Sequence, residues 1–245
     1  MINKVAMISG ANLFLTFDDR SVDHWYGQRD LLRSADARVT YFVSHPYGLT
    51  GEEVTRLHEL AGDGHAMAVH GLHHLDASEF LTGHGAERYL AEEIDPAIKI
   101  MADLGLASRD FAYPYGRRDS ASDEVLRGRF SWLRATAARS TDPDEARRVL
   151  FTPAGLATDR VVPARGIDIG RRGRLNPDDH EVVLHLLDVV AGEGLSLCLY
   201  AHDIDSVDGG LAGQRNFITP ERLGAVISAA TERGIALRSF AELPD

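Results

Sequence analysis

At 245 residues and 44% hydrophobic content, the chain is long enough to bury a full core, as one large α/β domain or two small ones. Asp and Glu outnumber Lys and Arg by 37 to 26, a net charge of −11, so the overall field repels nucleic acid and anionic membranes, and both are excluded as partners. A single cysteine, Cys198, rules out a disulfide framework and a cysteine-based zinc site, and it fits a reducing compartment.

Residues 1–10 lack the basic region and continuous apolar stretch of a signal peptide, and no run is long enough to cross a bilayer. A cytoplasmic protein, monomeric or homodimeric, is expected.

In chain order, 13–17 reads as a buried strand running directly into Asp18 and Asp19, so these acids are expected where a strand gives way to its loop. That is where α/β folds keep their chemistry, although an Asp there can also simply cap a following helix. A helix is predicted over 22–35, a β-branched and aromatic strand over 39–44, and a capping box at Thr50 and Glu53 that starts the next helix. The strand at 65–69 then delivers His70, His73 and His74. His70 and His74 are four apart, a spacing that puts both imidazoles on one face of a helical turn, within reach of one cation. With a carboxylate from the first strand they compose a two-His-one-carboxylate site suited to Zn, Co, Ni or Fe(II) rather than Mg or Ca.

Further along, apolar residues between 85 and 105 keep a helical period that Pro96 should kink or divide. A strand is predicted over 111–115, a short helix capped by Ser120 or Ser122, and two more strands over 130–137 and 149–156. Asn176 and Pro177 read as a cap and first helical residue, as do Thr219 and Pro220. Buried strands at 195–201, ending at His202 and Asp203, and at 235–240 complete the alternation. Alternation of this kind indicates a mostly parallel sheet covered by helices, without separating an open sheet from a closed barrel.

Four stretches carry a more specific signal: Thr16-Phe17-Asp18-Asp19, His70-Gly71-Leu72-His73-His74, Phe111-Ala112-Tyr113-Pro114-Tyr115-Gly116, and Leu197 through His202 and Asp203. In that order they resemble the successive motifs of the polysaccharide deacetylases, the NodB-homology or carbohydrate esterase family 4 enzymes. The resemblance implies a distorted (β/α)7 barrel and a single catalytic domain over 1–245. It also implies a metal-dependent hydrolase that removes N-acetyl, or less often O-acetyl, groups from carbohydrate.

Carried onto this chain, the resemblance makes Asp19, His70 and His74 the ligands of one divalent ion, Zn2+ first, with Co2+, Ni2+ or Fe2+ as alternatives. Asp18 becomes the general base and His202 the acid that protonates the departing amine. The backbone N–H of Tyr115 is then the oxyanion donor. His73 points off the His70/His74 face, toward solvent or an outer shell. Two departures stand out. Arg20 follows the acidic pair where many members have Gly, and Ala112 stands where many have the arginine that steadies the base. Arg20 is therefore expected either to supply that charge to Asp18 or to be a solvated loop residue. Asp168 is the best candidate to orient His202.

The expected partner is an N-acetylated carbohydrate or sugar-containing metabolite. Arg165, Arg171, Arg172 and Arg174 form a basic run that either holds a phosphate or carboxylate or is merely solvated. Trp25 either stacks on a sugar or belongs to the core. Two alternatives stay open: an allantoinase-like, metal-independent amidohydrolase on the same fold, and a catalytically silent carbohydrate-binding protein, suggested by Arg20 and Ala112.

Overall fold

In the computed structural model, which describes residues 10–106 and 109–244, the alternation of strands and helices resolves into a closed parallel barrel. The expectation of a leaderless N-terminus falls, for 1–9, outside the described residues. Six strands pair in chain order: β1 (Asn12–Asp19), β2 (Thr40–Val43), β3 (Ala66–Val69), β4 (Asp110–Ala112), β5 (Trp132–Thr136) and β6 (Val161–Gly166). A small hairpin of β7 (Gly170–Arg171) and β8 (Arg174–Leu175) follows. The seventh barrel strand, β9 (Ser196–Ala201), pairs with both β6 and β1, and this pairing distinguishes a barrel from an open sheet. Beyond it, β10 (Asp203–Ile204) and β11 (Phe217–Ile218) join the hairpin in a four-stranded sheet. A last strand, β12 (Ala236–Arg238), runs beside the first residues of β1, on the edge that β2 occupies further along.

Side-chain parity sorts the strand residues into two layers. Leu13, Leu15 and Phe17 pack outward beneath the helices, whereas Phe14 points inward to meet Phe42, Ala68, Ala112, Trp132, Val162 and Cys198. Both faces of each strand are therefore buried, which explains near-continuous apolar runs rather than polar alternation. Two residues on from Ala68 and Trp132, the same inward register brings His70 and Arg134 to the cavity at the C-terminal end of the barrel.

Local signals placed several elements correctly. Thr50 and Glu53 form the reciprocal capping box of the helix Gly51–Gly62, and Thr219 caps Pro220–Glu232. Other expectations are corrected. The helix predicted over 22–35 is two short pieces, Val22–Tyr26 and Arg29–Ser34, interrupted at Gly27 and Gln28. Residues 86–103 run without a break as Ala86–Tyr89, a π-helical turn at Leu90–Ile94, and Asp95–Asp103, with Pro96 directly after the π-helical turn. Asp119, not Ser120 or Ser122, caps Ser120–Arg127, and Ser122 returns the bond. Asn176 and Pro177 precede their helix, which starts at His180.

The largest correction concerns a barrel strand. Residues 149–156 form 3-10 turns around a single bridge from Phe151 to Ser196, and the sixth strand is Val161–Gly166. Pro163 disguised it, since proline removes a ladder donor. It is tolerated because β6 meets β9 only at Arg165 and Gly166, beyond the proline.

Candidate active site

A cavity of about 1000 Å3 opens at the C-terminal ends of the barrel strands. On its wall Asp19, the last residue of β1, faces His70, just past β3, and His74, in the loop that follows. His74 Nε2 lies 3.4 Å from Asp19 Oδ1 and 3.1 Å from His70 Nε2, and His70 Nε2 lies 3.8 Å from Asp19 Oδ1. Donors about 2.0–2.1 Å from a tetrahedral ion lie roughly 3.3 Å apart, so this triangle fits a divalent metal. His70 Nδ1 bonds the carbonyl of Ala112 at 2.9 Å, which makes Nδ1 the donor and leaves the Nε2 lone pair facing the other two ligands. Burial lowers the His70 pKa to about 4, against a smaller opposing pull from Asp18, so the ring is neutral and able to ligate.

The two histidines do not share a helical turn, contrary to the spacing argument. His70 ends a strand and His74 sits in the left-handed region at φ +59°. The loop between them is held from below: Glu93, fully buried on the π-helical turn, accepts the backbone N–H of His73 at 2.8 Å and of Leu75 at 3.1 Å. Gly71, at φ +87°, passes so close that a Cβ would strike the Glu93 carboxylate. His73 itself is exposed, its ring tilted against Tyr47.

Asp18 is buried and ion-paired to Arg134, a fully buried arginine of β5. Burial works against its charge, but Arg134, then His70 and His202, outweigh this and hold the carboxyl below its usual range. Arg20 does not play that part: it extends over Gly48, with no ion pair among the described residues. Arg134 is the register neighbour of Ala112 on the adjacent strand. Its guanidinium, packed against the rings of Tyr200 and Phe42, thus reaches Asp18 from β5 while Ala112 stands on β4. Asp18 Oδ1 is buried with no hydrogen-bond partner among the described residues, which leaves one acceptor atom uncommitted.

Asp168 accepts from the backbone N–H of His202 at 3.1 Å and from ring Nδ1 at 2.7 Å, so Nε2 is the free edge. Burial opposes protonation of His202, but Asp168, then Asp18 and Asp19, raise its pKa to about 9. The backbone carbonyl of Asp168 is itself held by Arg139 at 2.7 Å and Asn176 at 2.8 Å. Trp25 is wholly buried, stacks on Tyr41 and donates to the carbonyl of His202, so it belongs to the core and not to a sugar platform. Tyr115, at φ +58°, sits on the cavity wall with its ring edge-on to His74 and 61% exposed.

Of the eight non-glycine residues at positive φ among the described residues, five line this cavity: Asp19, His45, His74, Tyr115 and Arg172. Such conformations persist only where surroundings impose them, so backbone strain is concentrated at the mouth. His45, whose ring stacks on His74 at 6.3 Å, was not singled out by the sequence reading. Neither were Arg134 and Glu93, for which the signal was a charged residue inside an otherwise apolar strand or helix face. A second cluster, His24 with Asp203 and Asp205, also brings metal-binding donor types together. There Arg215 already bonds Asp203, at 2.8 Å, and Asp205. Among the described residues no helix is long and apolar enough to cross a membrane.

Comparison with known proteins follows the same line. Residues 9–128 match the family model described as polysaccharide deacetylase. No curated protein matches the sequence significantly. Among solved structures the chain is similar to a chitin deacetylase from Colletotrichum lindemuthianum (14% identity, TM-score 0.60, covering 97% of this chain and 89% of that one). It is also similar to a polysaccharide deacetylase from Bacillus cereus (17%, TM-score 0.55, 94% and 92%). A carbohydrate esterase 4 family pseudoenzyme from Bacillus anthracis shares the fold too (12%, TM-score 0.56, 96% and 66%). At these identities the likeness is one of fold.

Proposed function

Residues 9–128 match the polysaccharide deacetylase family model, and from that premise we propose that the chain is a metal-dependent hydrolase of that family, releasing acetate from an N-acetylated sugar or sugar-containing metabolite. Residues 1–245 act in this reading as a single catalytic domain, in a cytoplasmic setting that the lone buried Cys198 supports. The observation that carries the reading is the donor triangle of Asp19, His70 and His74, with an ionised Asp18 beside it and a protonated His202 on the same cavity.

When bound there, a Zn2+, Co2+, Ni2+ or Fe2+ ion lowers the pKa of a water and polarises the acetyl carbonyl. Asp18 then takes the proton of the attacking water through its uncommitted Oδ1, and Arg134 keeps that carboxylate charged until it does. The developing oxyanion is met by the backbone N–H of Tyr115. His202, aimed by Asp168, gives its proton to the amine nitrogen, without which the carbon–nitrogen bond breaks poorly. Tyr47 and Tyr115, both more than half exposed on the cavity wall, offer apolar faces to a sugar ring.

The silent-binding alternative drew its weight from Arg20 and Ala112; Arg134 weakens the Ala112 half of that ground, since the base retains a guanidinium partner. Acetate release from N-acetylglucosamine and its oligomers, measured after Zn2+ loading, after chelation and after reloading, tests the proposal. Turnover abolished by chelator and restored by metal is expected. Hydrolysis of a ureide or cyclic amide that survives chelation would transfer the assignment to a metal-independent amidohydrolase.

A further inference from the structure

The cavity holds more positive charge than its own residues use. Its three carboxylates are all engaged: Asp18 by Arg134, Asp168 by His202, and Asp19 by the two ligating histidines. Arg139 is matched in turn by Asp179. Arg171 and Arg172 are not matched. They sit at the turn of the β7–β8 hairpin, line the cavity, are exposed, and have no ion pair among the described residues. Arg33 and Arg174 are exposed and unpaired among the described residues as well, but away from the cavity, and Arg20 lines it alone over Gly48, so adjacency on the cavity wall is what sets Arg171 and Arg172 apart. That two neighbouring ones stay unpaired while facing the same cavity is a charge deficit waiting for a ligand.

The hairpin separates the basic run into unlike parts. Arg165 is buried and bonded to Asp179, and Arg174 lies outside the cavity lining. Arg172, at φ +49° beside Gly173 at φ +75°, forms the tight turn that leaves both its own side chain and that of Arg171 on the cavity wall. The stem of the hairpin is tied to the acid: Asp168 orients His202, and Asn176, just past β8, holds the Asp168 carbonyl and donates its backbone N–H to Ile169 at 2.8 Å. His202 faces the nitrogen that departs with the sugar. The part of the substrate nearest the hairpin is thus the sugar that keeps the amine, not the acetyl group.

We propose that the substrate is an anionic N-acetylated sugar whose oxyanion, a phosphate by preference over a carboxylate, is received by Arg171 and Arg172. Two guanidinium forks present more donors than one carboxylate can accept, and the three terminal oxygens of a phosphate monoester use them better. This rests on the deacetylase reading for what happens to the amide: water supplies the oxygen of acetate, the carbon–nitrogen bond breaks, and the amine leaves protonated.

The test separates binding from chemistry. Titration calorimetry with glucosamine 6-phosphate, glucosamine and muramic acid is run on wild type, on Arg171→Ala with Arg172→Ala, and on Arg174→Ala as a hairpin control. Glucosamine 6-phosphate is expected to bind about 10- to 100-fold more tightly than glucosamine, with an affinity that falls as salt rises. The double variant should lose that margin and Arg174→Ala should keep it. Equal binding of the phosphorylated and neutral sugars, or a margin indifferent to the double substitution, overturns the anion site. Muramic acid binding as tightly as the phosphorylated sugar overturns the preference for phosphate. Acetate release from N-acetylglucosamine 6-phosphate is read separately. A binding margin without acetate release retains the anion site and overturns the deacetylase reading; acetate release without a margin does the reverse.

Discussion

Two clusters in this chain bring histidine and aspartate together, and they are balanced in opposite ways. Around Asp203 the carboxylates meet Arg215 on one side and His24 Nδ1, at 2.6 Å, on the other, so positive charge is already supplied by the protein. Around Asp19 the neighbours are His74 and a His70 that burial keeps neutral, and the buried Arg134 is spent on Asp18. Proximity of donor types is common to both. What separates them is whether the fold has brought its own cation, and at the Asp19 cluster that place is the one the proposed ion would take.

The widest test of this contrast is metal content. Wild-type protein purified without added metal or chelator is expected to carry about one Zn, Co, Ni or Fe per chain. Elemental analysis should find none in His70→Ala with His74→Ala, and an unchanged content in His24→Ala with Asp205→Ala. Metal lost from the second pair instead would invert the comparison.

Next in size is Arg134→Met, which leaves Asp18 buried without its partner. It should cost about 3–5 kcal/mol in chemical denaturation. The folded Asp18 pKa lies below its ordinary value, so its stabilising share is present above the unfolded pKa and lost as pH falls through the folded one. Without Arg134 that loss, and the acid limb of the rate profile, should move to higher pH.

A smaller change is expected from Asp168→Asn. His202 is raised to about 9 from 6.5, so its contribution is full below about 6.5 and lost as pH rises through about 9. In the variant the alkaline limb of kcat should retreat toward neutrality, and thermal stability should fall less steeply between pH 7 and pH 10. The smallest expected effect is on the acid limb of Arg20→Ala, which should not move, because Asp18 takes its charge partner from β5.

How much of this was legible beforehand follows from the range of each interaction. The Thr50 and Thr219 caps are completed within three residues, so the sequence contains both partners. The strand–helix alternation and the motifs at strand ends were legible because most strands carry their own apolar run, while closure into a barrel was implied only by the family resemblance. The geometry of His74 was not, since a left-handed residue braced by Glu93, nineteen positions on, leaves no local periodic mark. Arg134 was hidden for a related reason: what identifies it is register with Ala112 across a β4–β5 ladder, and register is set by the closing of the barrel. The strand at 161–166 was missed because Pro163 violates a rule that holds for strands paired on both sides, and this one is not paired so at that point.

The place of Arg134 has a consequence for how the chain is read against its motifs. A narrow barrel gives adjacent strands access to one interior, so a charge can change its address in the chain while keeping its address in space. Absence of the motif arginine at Ala112 therefore does not by itself strip Asp18 of its charge partner. Exchange of the pair, Ala112→Arg with Arg134→Ala, moves the charge from one address to the other within a single protein.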